Sequence, residues 1–353
     1  MILIDGHLDI ALNGVVWNRD LKKDAIAIRV DEAGMTQKGR ARGTLGFPDL
    51  RAAEVAVSLV TVLARVKPRT AEPAIDYRTH EAAYAHAQGE LAYYRELERQ
   101  GVLRIIKDAD ALDAHMAQWR ADADSCPLGV IITMEGADPI VEPETVQGWW
   151  DDGLRALSLA HYGPSKYAFG TASVGPVTPE GLKLLDEMGK GKMILDVTHL
   201  CDESFWMAVD RFQGPLIATH SNCRALVPGD RQFDDDQLKL LFERGAVIGA
   251  ALDAWMLSPG WIRGETQPEV VGLEAVADQI DYVCQLAGNT KHAAIGTDLD
   301  GGYGTEQTPR DLKTYRDMQK IPDLLRKKGY SETDVEAIFH GNWLNLFKRV
   351  WRS

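Results

Sequence analysis

Eight short apolar runs, separated by longer charge-rich segments, are the feature that most constrains how this 353-residue chain can fold. Most runs are rich in Val, Ile and Leu, which is the composition of parallel strands buried on both faces. Strands that alternate with helices in this way predict an α/β fold, a (β/α)8 TIM barrel. The predicted strands are Met1–Asp9, Glu54–Leu63, Leu128–Glu135, Leu154–His161, Met193–His199, Pro215–His220, Ala246–Leu252 and Ala293–Asp298.

The segments between the runs have the spacing and the boundary residues of helices. Tyr84–Arg99 has helical spacing and is followed by Gly101, a common helix terminator. Asp234 can cap a helix over Asp235–Arg244, whose acidic first turn favours the positive end of the helix dipole. No linker divides the chain, so we expect one domain over residues 1–353. The alternative, a doubly wound open sheet, is disfavoured because no GxGxxG or P-loop follows the first strand.

Composition excludes several classes of function. The chain has 39 Lys and Arg against 52 Asp and Glu residues, a formal net charge of −13, whereas nucleic-acid binding requires clustered basic residues. Every apolar run is much shorter than the roughly 20 residues that span a bilayer. The four cysteines lie far apart without a CxxC pair, which argues against a disulfide scaffold and a zinc ribbon. We therefore expect a cytoplasmic protein that binds neither nucleic acid nor membrane.

Reactive side chains are concentrated at the C-terminal ends of the predicted strands, where barrel enzymes build their active sites. Four of the nine histidines lie there, namely His7, His161, His199 and His220. Two carboxylates, Glu135 and Asp298, lie at the ends of two further strands. By contrast, His80, His86 and His115 fall in helical segments and are predicted to be surface residues. The stretch between Asp9 and Glu54 is predicted to be an irregular loop or a hairpin over the barrel mouth.

The strand-end residues are of the types that bind divalent metals. His7 and Asp9 are two apart on a strand, so their side chains point to the same side. With His199 and His220 on neighbouring strands and Glu135 between two ions, they predict a site for metal-assisted hydrolysis. Nitrogen and carboxylate ligands suit zinc best, with Mn2+ or Co2+ as alternatives. Each residue taken singly fits a loop carboxylate or a core histidine, but their shared position favours the metal site.

Six segments, which run in order from residue 5 to about 346, carry a known set of motifs. They are Asp5-Gly6-His7-Leu8-Asp9, Met134-Glu135-Gly136, Leu195–His199, Thr219–Leu226, Ile295–Gly301 and Gly341–Leu344. Together they resemble the motifs of the renal (membrane) dipeptidase family of zinc metallopeptidases, peptidase family M19. The chain resembles a soluble, bacterial-type member of this family, with the metal-dependent hydrolase barrel. Leu8 replaces the family's usual Asn, and Asp20–Phe47 and Trp255–Trp261 are individual segments that we expect to shape the pocket.

The resemblance implies two Zn2+ per chain and a metal ligand set. His7 and Asp9 would bind one ion, His199 and His220 the other, and Glu135 would bridge the two. The ions would lower the pKa of a shared water towards ~7 and so provide a zinc-bridged hydroxide at neutral pH.

The resemblance also implies three residues that contact substrate. Asp298 corresponds to the acidic residue that contacts the amino end of the substrate and shuttles a proton. His161 corresponds to the histidine that polarises the scissile carbonyl, and Arg231 to the arginine that binds the C-terminal carboxylate. A guanidinium fork fits a carboxylate through two hydrogen bonds, which lysine does not reproduce.

The function implied is that of a binuclear zinc dipeptidase. The family suggests that its dipeptides include L-Xaa-D-Xaa, that β-lactams are a side substrate, and that the protein is a homodimer. One alternative is another amide or lactone hydrolase of the amidohydrolase superfamily, but those barrels usually have His-x-His on strand 1 and a bridging Lys on strand 4. The other alternative is a non-catalytic metal-binding barrel, which the presence of Glu135, Asp298 and His220 disfavours.

Overall fold

Eight parallel strands form the ring of a barrel in a computed structural model that describes residues 1–67 and 75–352. The strands are β1 (Leu3–Leu8), β2 (Val55–Val62), β3 (Leu128–Met134), β4 (Leu154–Leu157), β5 (Ile194–Asp196), β6 (Leu216–Ile217), β7 (Ile248–Ala250) and β8 (Ala293–Ile295). They follow one another around the ring in chain order, and β8 pairs with β1. The ring closes between β6 and β7 through a parallel bridge between Ala218 and Ile248. The predicted barrel is confirmed.

Helices follow most of the strands and cover the outside of the barrel. The α-helices in the described ranges are α1 (Ala25–Asp31), α2 (Phe47–Ala52), α3 (His80–Arg99), α4 (Ala109–Ala121), α5 (Val146–Asp152), α6 (Pro179–Met188), α7 (Asp202–Arg211), α8 (Asp235–Glu243), α9 (Glu274–Ala287), α10 (Ile321–Lys327), α11 (Glu332–Glu336) and α12 (Asn342–Arg352). Single turns of 3-10 helix lie at Pro143–Thr145, Ala254–Met256 and Pro268–Val270, a longer one at Tyr315–Lys320, and π-helical turns at Leu12–Val16 and Ala337–Gly341. The short strand Leu103–Ile105 pairs with β3 outside the ring, and Arg65–Val66 pairs with Asp76–Tyr77.

The strands are buried on both faces, as their composition predicts. Every residue of β1, β2 and β3 is buried, because the helices cover one face and the barrel interior the other. Each predicted run contains one barrel strand, but several strands stop earlier than predicted. β4 ends at Leu157 and β5 at Asp196, so that His161 and His199 lie in the turns that follow.

Two predictions about other regions are wrong. The stretch between Asp9 and Glu54 contains a π-helical turn, α1 and α2, so it is neither irregular nor a hairpin. His115 is fully buried, because its position on α4 faces the barrel and its Nε2 lies 2.8 Å from the Ala56 carbonyl oxygen. His80 and His86 are half-buried rather than on the surface.

In residues 1–67 and 75–352, no helix combines the length and the apolar character needed to cross a membrane. All four cysteines lie in these ranges, and each is buried and free of a disulfide bond.

Glycines allow the barrel strands to approach one another closely around the Thr219 carbonyl oxygen. A Cβ atom added at Gly296 would lie 1.8 Å from that oxygen, at Gly249 2.1 Å and at Gly6 2.5 Å. Real Cβ atoms do not approach backbone oxygens this closely, so side chains at these positions would force the strands apart. The position of Thr219, which precedes His220, therefore depends on glycine in β1, in β7 and just after β8.

We expect Gly296→Ala to lower the free energy of unfolding by about 3 kcal/mol, because the methyl group overpacks the barrel interior against backbone that cannot move aside. Urea denaturation measures the change. The matched control is Gly148→Ala in α5, where an added Cβ meets nothing within 4 Å and where alanine should stabilise the helix by about 1 kcal/mol. Equal destabilisation by both substitutions would contradict the packing argument.

Candidate active site

A cavity of about 390 Å3 opens at the C-terminal ends of the barrel strands. The eight residues predicted for the site meet here. Six of them line the cavity: Asp9, Glu135, His161, His199, Arg231 and Asp298. His7 and His220 lie beside it, each within 4 Å of Glu135.

The Glu135 carboxylate is the centre of the site. Its Oε1 lies 3.0 Å from His199 Nε2, 3.4 Å from His220 Nε2, and 3.8 Å from both His7 Nε2 and His161 Nε2. It follows β3 directly, and its backbone N–H donates to the Val62 carbonyl at the end of β2. One carboxylate oxygen therefore faces four imidazole nitrogens from four different strand ends.

The ligand atoms form three overlapping groups in the described residues. One contains His7, His220 and Asp298, and the other two share Glu135. The ligand atoms of His7, Asp9 and Glu135 lie within 4.8 Å of one another, and so do those of Glu135, His199 and His220. His7 Nε2 is buried and has no hydrogen-bond partner among the described residues, although carboxylate oxygens of Asp9, Glu135 and Asp298 lie 3.7–3.8 Å away. A buried imidazole nitrogen surrounded by carboxylate oxygens at this distance fits a divalent cation between them.

Hydroxyl groups behind His220 and His199 orient their rings. The Thr219 hydroxyl donates to Asp196 Oδ2 at 2.6 Å, so it accepts from His220 Nδ1, 3.0 Å away. The Thr171 hydroxyl donates to the His199 carbonyl and accepts from His199 Nδ1 at 2.9 Å. Both rings thereby carry their proton on Nδ1 and direct the Nε2 lone pair at the cavity, which is the tautomer that a metal ligand requires.

His161 is held in the opposite tautomer. Arg65 Nη1 lies 3.4 Å from His161 Nδ1, and a guanidinium only donates, so Nδ1 carries the lone pair. The proton is then on Nε2, which points towards Glu135 and the cavity. His161 therefore presents a hydrogen-bond donor where His199 and His220 present acceptors.

Arg231 is a buried cation without a carboxylate partner in the described part of the chain. Its Nη1 donates to the Ser221 hydroxyl at 3.0 Å, and its Nη2 donates to the His220 carbonyl at 2.7 Å and lies 3.5 Å from His199 Nε2. The side chain borders the cavity and is 4% exposed. Because an unpaired buried charge is costly, the arrangement fits an anionic group of a ligand.

Burial controls the protonation of the site. It lowers the pKa of His7 to about 3 and those of His161 and His220 to about 4, so the rings are neutral at neutral pH. Burial by itself raises the pKa of Glu135, but the nearby imidazoles of His161 and His7 hold it well below the usual range.

Burial and the negative charge of Glu135 raise the pKa of the Asp9 carboxyl well above its ordinary value. Burial and the Asp9 charge do the same to the pKa of Asp298. Crowded carboxylates of this kind need a counter-charge, which a bound cation supplies.

Two buried aspartates brace the strand ends with the same set of hydrogen bonds. Asp5 Oδ1 accepts from the backbone N–H of His7 and of Thr297, and its Oδ2 accepts from the Thr297 hydroxyl. Asp196 accepts likewise from Thr198 N–H, Thr219 N–H and the Thr219 hydroxyl.

The two threonines that these aspartates hold directly precede Asp298 and His220 in the sequence. Asp5 thus links the end of β1 to the turn after β8, and Asp196 links the turn after β5 to the turn after β6.

Backbone strain also marks the site. His199 has φ of 71° and Asp298 has φ of 58°, a left-handed conformation that costs about 1 kcal/mol or more for residues with a Cβ atom. The Thr171 hydroxyl bonds to the His199 carbonyl, and Asp298 N–H donates to the His7 carbonyl, so the turns are held in place. The turns direct both side chains back over the barrel mouth.

The cavity wall also contains residues that sequence reasoning did not identify. They are Lys38, Arg65, Asp253, Arg263 and Tyr303. Asp253 could have been found, because it directly follows the predicted strand Ala246–Leu252, but the others lie on long connections with no strand-end signal. As expected, Asp20–Phe47 and Trp255–Trp261 shape the pocket, to which they contribute Lys38 and Trp255.

Comparison with known proteins relates the whole chain to one family. The family model described as membrane dipeptidase (peptidase family M19) matches residues 1–353. Dipeptidase aclJ of Aspergillus oryzae is 24% identical over 356 residues, which cover 99% of this chain and 78% of that protein. An uncharacterized protein in the pqqA 5′ region of Klebsiella pneumoniae is 27% identical over 246 residues, which cover 66% of this chain and 88% of that protein.

Solved structures share the fold. A metallo peptidase from Rhodobacter sphaeroides, liganded with a phosphinate mimic of the dipeptide L-Ala-D-Ala, has a TM-score of 0.78 at 22% identity and covers 99% of each chain. The probable dipeptidase PvdM from Pseudomonas aeruginosa has a TM-score of 0.79 at 16% identity, covering 100% of this chain and 96% of the other. At these identities the likeness establishes the barrel fold alone.

We expect Asp196→Ala to lower the free energy of unfolding by about 3 kcal/mol, because it leaves the N–H groups of Thr198 and Thr219 buried without an acceptor. Thermal and urea unfolding measure the loss. The control is Asp186→Ala, which removes an exposed pair with Arg211 and should change stability by less than about 1 kcal/mol. A loss at position 196 no larger than that of the control would contradict the bracing role.

Proposed function

The chain belongs to the membrane dipeptidase family, peptidase family M19, a family of metal-dependent dipeptidases, and we propose that it hydrolyses dipeptides in the cavity at the barrel mouth. The single observation that carries the proposal is the position of Glu135 in two overlapping groups of ligand atoms. A carboxylate shared by two such groups is what a two-ion hydrolytic site requires. The family match supplies the reaction class, and the geometry supports its location.

We propose two Zn2+ ions, with Mn2+ or Co2+ as substitutes, held by the residues predicted from the sequence. His7 and Asp9 would bind one ion, His199 and His220 the other, and Glu135 both. The unpartnered Nε2 of His7 and the tautomers of His199 and His220 support this assignment. When bound, such ions supply an activated water at neutral pH and a Lewis acid for the scissile carbonyl.

Three further residues would bind and orient the substrate. Arg231, buried and unpaired among the described residues, would hold the C-terminal carboxylate through its guanidinium fork. His161, with its proton on Nε2, would donate a hydrogen bond to the carbonyl oxygen as negative charge develops on it. Each role matches a group that a dipeptide presents.

Asp298 would act at the amino side of the scissile bond. Its Oδ1 lies 3.8 Å from His7 Nε2, and the side chain borders the cavity. We propose that it contacts the substrate ammonium group, takes the proton of the attacking water on a carboxylate oxygen and delivers it to the leaving amine nitrogen. The left-handed turn at Asp298 would hold the carboxylate in that position.

Finer features of the activity are proposals too. The Rhodobacter sphaeroides protein was solved with a mimic of L-Ala-D-Ala, which supports L-Xaa-D-Xaa dipeptides as substrates of this chain. The zinc-bridged hydroxide, β-lactam hydrolysis, the homodimer, the cytoplasmic location and the single domain over residues 1–353 stay predictions. Other amide or lactone hydrolysis is disfavoured, because a glutamate rather than a lysine is shared by the two ligand groups.

The deciding measurement is turnover of a panel of L-Xaa-L-Xaa and L-Xaa-D-Xaa dipeptides by zinc-loaded protein. We expect hydrolysis that a chelator abolishes and zinc restores, and losses of at least about 100-fold in kcat for Glu135→Gln and Asp298→Asn. Metal analysis should find close to two ions per chain in the native protein. Metal-independent turnover, fewer than one ion per chain after zinc supplementation, or native activity in both variants would refute the mechanism.

We expect Arg231→Lys to raise KM for dipeptides by on the order of 30-fold, because an ammonium group replaces a two-point contact by a single one. Steady-state kinetics measure the effect, and a dipeptide amide, which lacks the C-terminal carboxylate, should show little difference between the two proteins. Arg224→Lys is the control, since Arg224 also uses two nitrogens on a carboxylate, that of Asp202, but lies outside the cavity lining. An unchanged KM would contradict the assignment of Arg231.

A further inference from the structure

The outer wall of the cavity carries two cations that the proposed reaction does not use. Lys38, between α1 and α2, and Arg263, after β7, both border the cavity. Both are exposed, and in residues 1–67 and 75–352 neither lies within ion-pair distance of a carboxylate, although the charges of Asp253 and Asp298 act on both. Because both side chains border the cavity, a ligand bound there can reach their charges.

Arg263 is held in place by a series of contacts that does not neutralise it. Its guanidinium lies 4.3 Å from the centroid of the Trp255 ring, and its Nη2 donates to the Tyr162 hydroxyl at 3.0 Å. The indole Nε1 of Trp255 donates to Asp253 Oδ2 at 2.6 Å, and Gln307 Nε2 donates to Asp253 Oδ1 at 2.7 Å. The wall therefore presents the guanidinium in a fixed orientation, with its charge available.

A third donor faces the same space. The Tyr303 hydroxyl is buried, borders the cavity, and has no hydrogen-bond partner among the described residues. Buried hydroxyl groups are almost always hydrogen-bonded, so an orphan at a cavity wall marks a position where a ligand atom is received.

The charges around the cavity show which part of a substrate this wall would receive. Four cationic and four anionic side chains line it, and three of the anions are Asp9, Glu135 and Asp298 of the candidate metal groups. The fourth, Asp253, accepts hydrogen bonds only from the neutral side chains of Trp255 and Gln307, so its charge offsets one of the two cations Lys38 and Arg263. Of the other cations, Arg65 pairs with Asp76 at 2.6 Å. Once Arg231 holds the C-terminal carboxylate, one net positive charge remains on the outer wall.

We infer that this wall is a side-chain subsite for an acidic residue, so that the preferred substrates are dipeptides that contain Asp or Glu. Arg263 and Lys38 would contact the side-chain carboxylate, and Asp253 would act as a positioning residue through Trp255. The inference rests on the proposed dipeptidase function and names its substrate class. A neutral dipeptide is a zwitterion without net charge, whereas an acidic one carries the extra negative charge that the wall would bind.

The test compares Glu with Gln in dipeptides of the same shape, on zinc-loaded protein. Ala-Glu is compared with Ala-Gln, and Glu-Ala with Gln-Ala, with D-isomers at the C-terminal position. We expect kcat/KM to be at least 10-fold higher for Glu than for Gln in at least one pair, which also identifies the substrate residue bound. The preference should fall as ionic strength rises, because both cations are solvent-accessible.

Variants locate the preference. Arg263→Met and Lys38→Met should each reduce the Glu/Gln ratio of kcat/KM at least threefold, and Arg263→Glu should bring it to one or below. Lys327→Met is the control, since Lys327 is an exposed lysine outside the cavity lining, and it should leave the ratio unchanged. A ratio near one in the native protein, or a native ratio in both Met variants, would overturn the inference.

A second measurement separates this inference from the proposed function. Calorimetry with the zinc-loaded Asp298→Asn variant, in which hydrolysis is slow, should show tighter binding of the Glu dipeptide than of the Gln dipeptide. Hydrolysis of both dipeptides at equal rates and with equal affinity would refute the subsite and leave the dipeptidase function intact. Binding that favours Glu without any hydrolysis would support the subsite and refute the dipeptidase function.

Discussion

A carboxylate buried among imidazoles is the interaction on which the rest of the site depends. Glu135 is buried at the centre of the barrel mouth, and one of its oxygens faces Nε2 atoms of four histidines. Burial keeps the imidazoles neutral. Burial and the Glu135 charge raise the pKa of Asp9, and burial and the Asp9 charge raise the pKa of Asp298. Such a cluster has more negative charge than the surrounding protein neutralises, so it is matched to divalent cations.

The barrel supplies the rigidity that this cluster needs. Asp5 and Asp196 each bind the backbone and the hydroxyl group of a threonine on a neighbouring strand, so two buried carboxylates fix four strand ends. Gly6, Gly249 and Gly296 allow the strands to close around the Thr219 carbonyl. The strained turns at His199 and Asp298 are held by hydrogen bonds from the Thr171 hydroxyl to the His199 carbonyl and from Asp298 N–H to the His7 carbonyl. Stability and site geometry therefore depend on the same hydrogen bonds.

The cavity has two parts, an inner site around Glu135 and an outer wall with Lys38 and Arg263, and they come from different parts of the chain. Residues near Glu135 come from strand ends, whose position the parallel sheet dictates. Lys38 and Arg263 come from long connections, whose path depends on contacts such as that between Trp255 and Asp253. The reaction class would thus be set by the barrel, and substrate preference by connections that vary without disturbing it.

The sequence by itself determined the barrel and the inner site, because strand burial and strand-end position are local properties that periodicity and motifs carry. Hence His7, Glu135, His199 and His220 could be predicted as site residues from the sequence. Only the tertiary structure decided which ring nitrogen of each histidine is protonated, since this depends on neighbours such as Thr171 and Arg65 that are distant in sequence. It also showed that His115, which was predicted to lie on the surface, is buried. It brought Lys38, Arg263 and Asp253 to one wall of the cavity. Contacts between residues so far apart in the chain arise from packing, which no local pattern encodes.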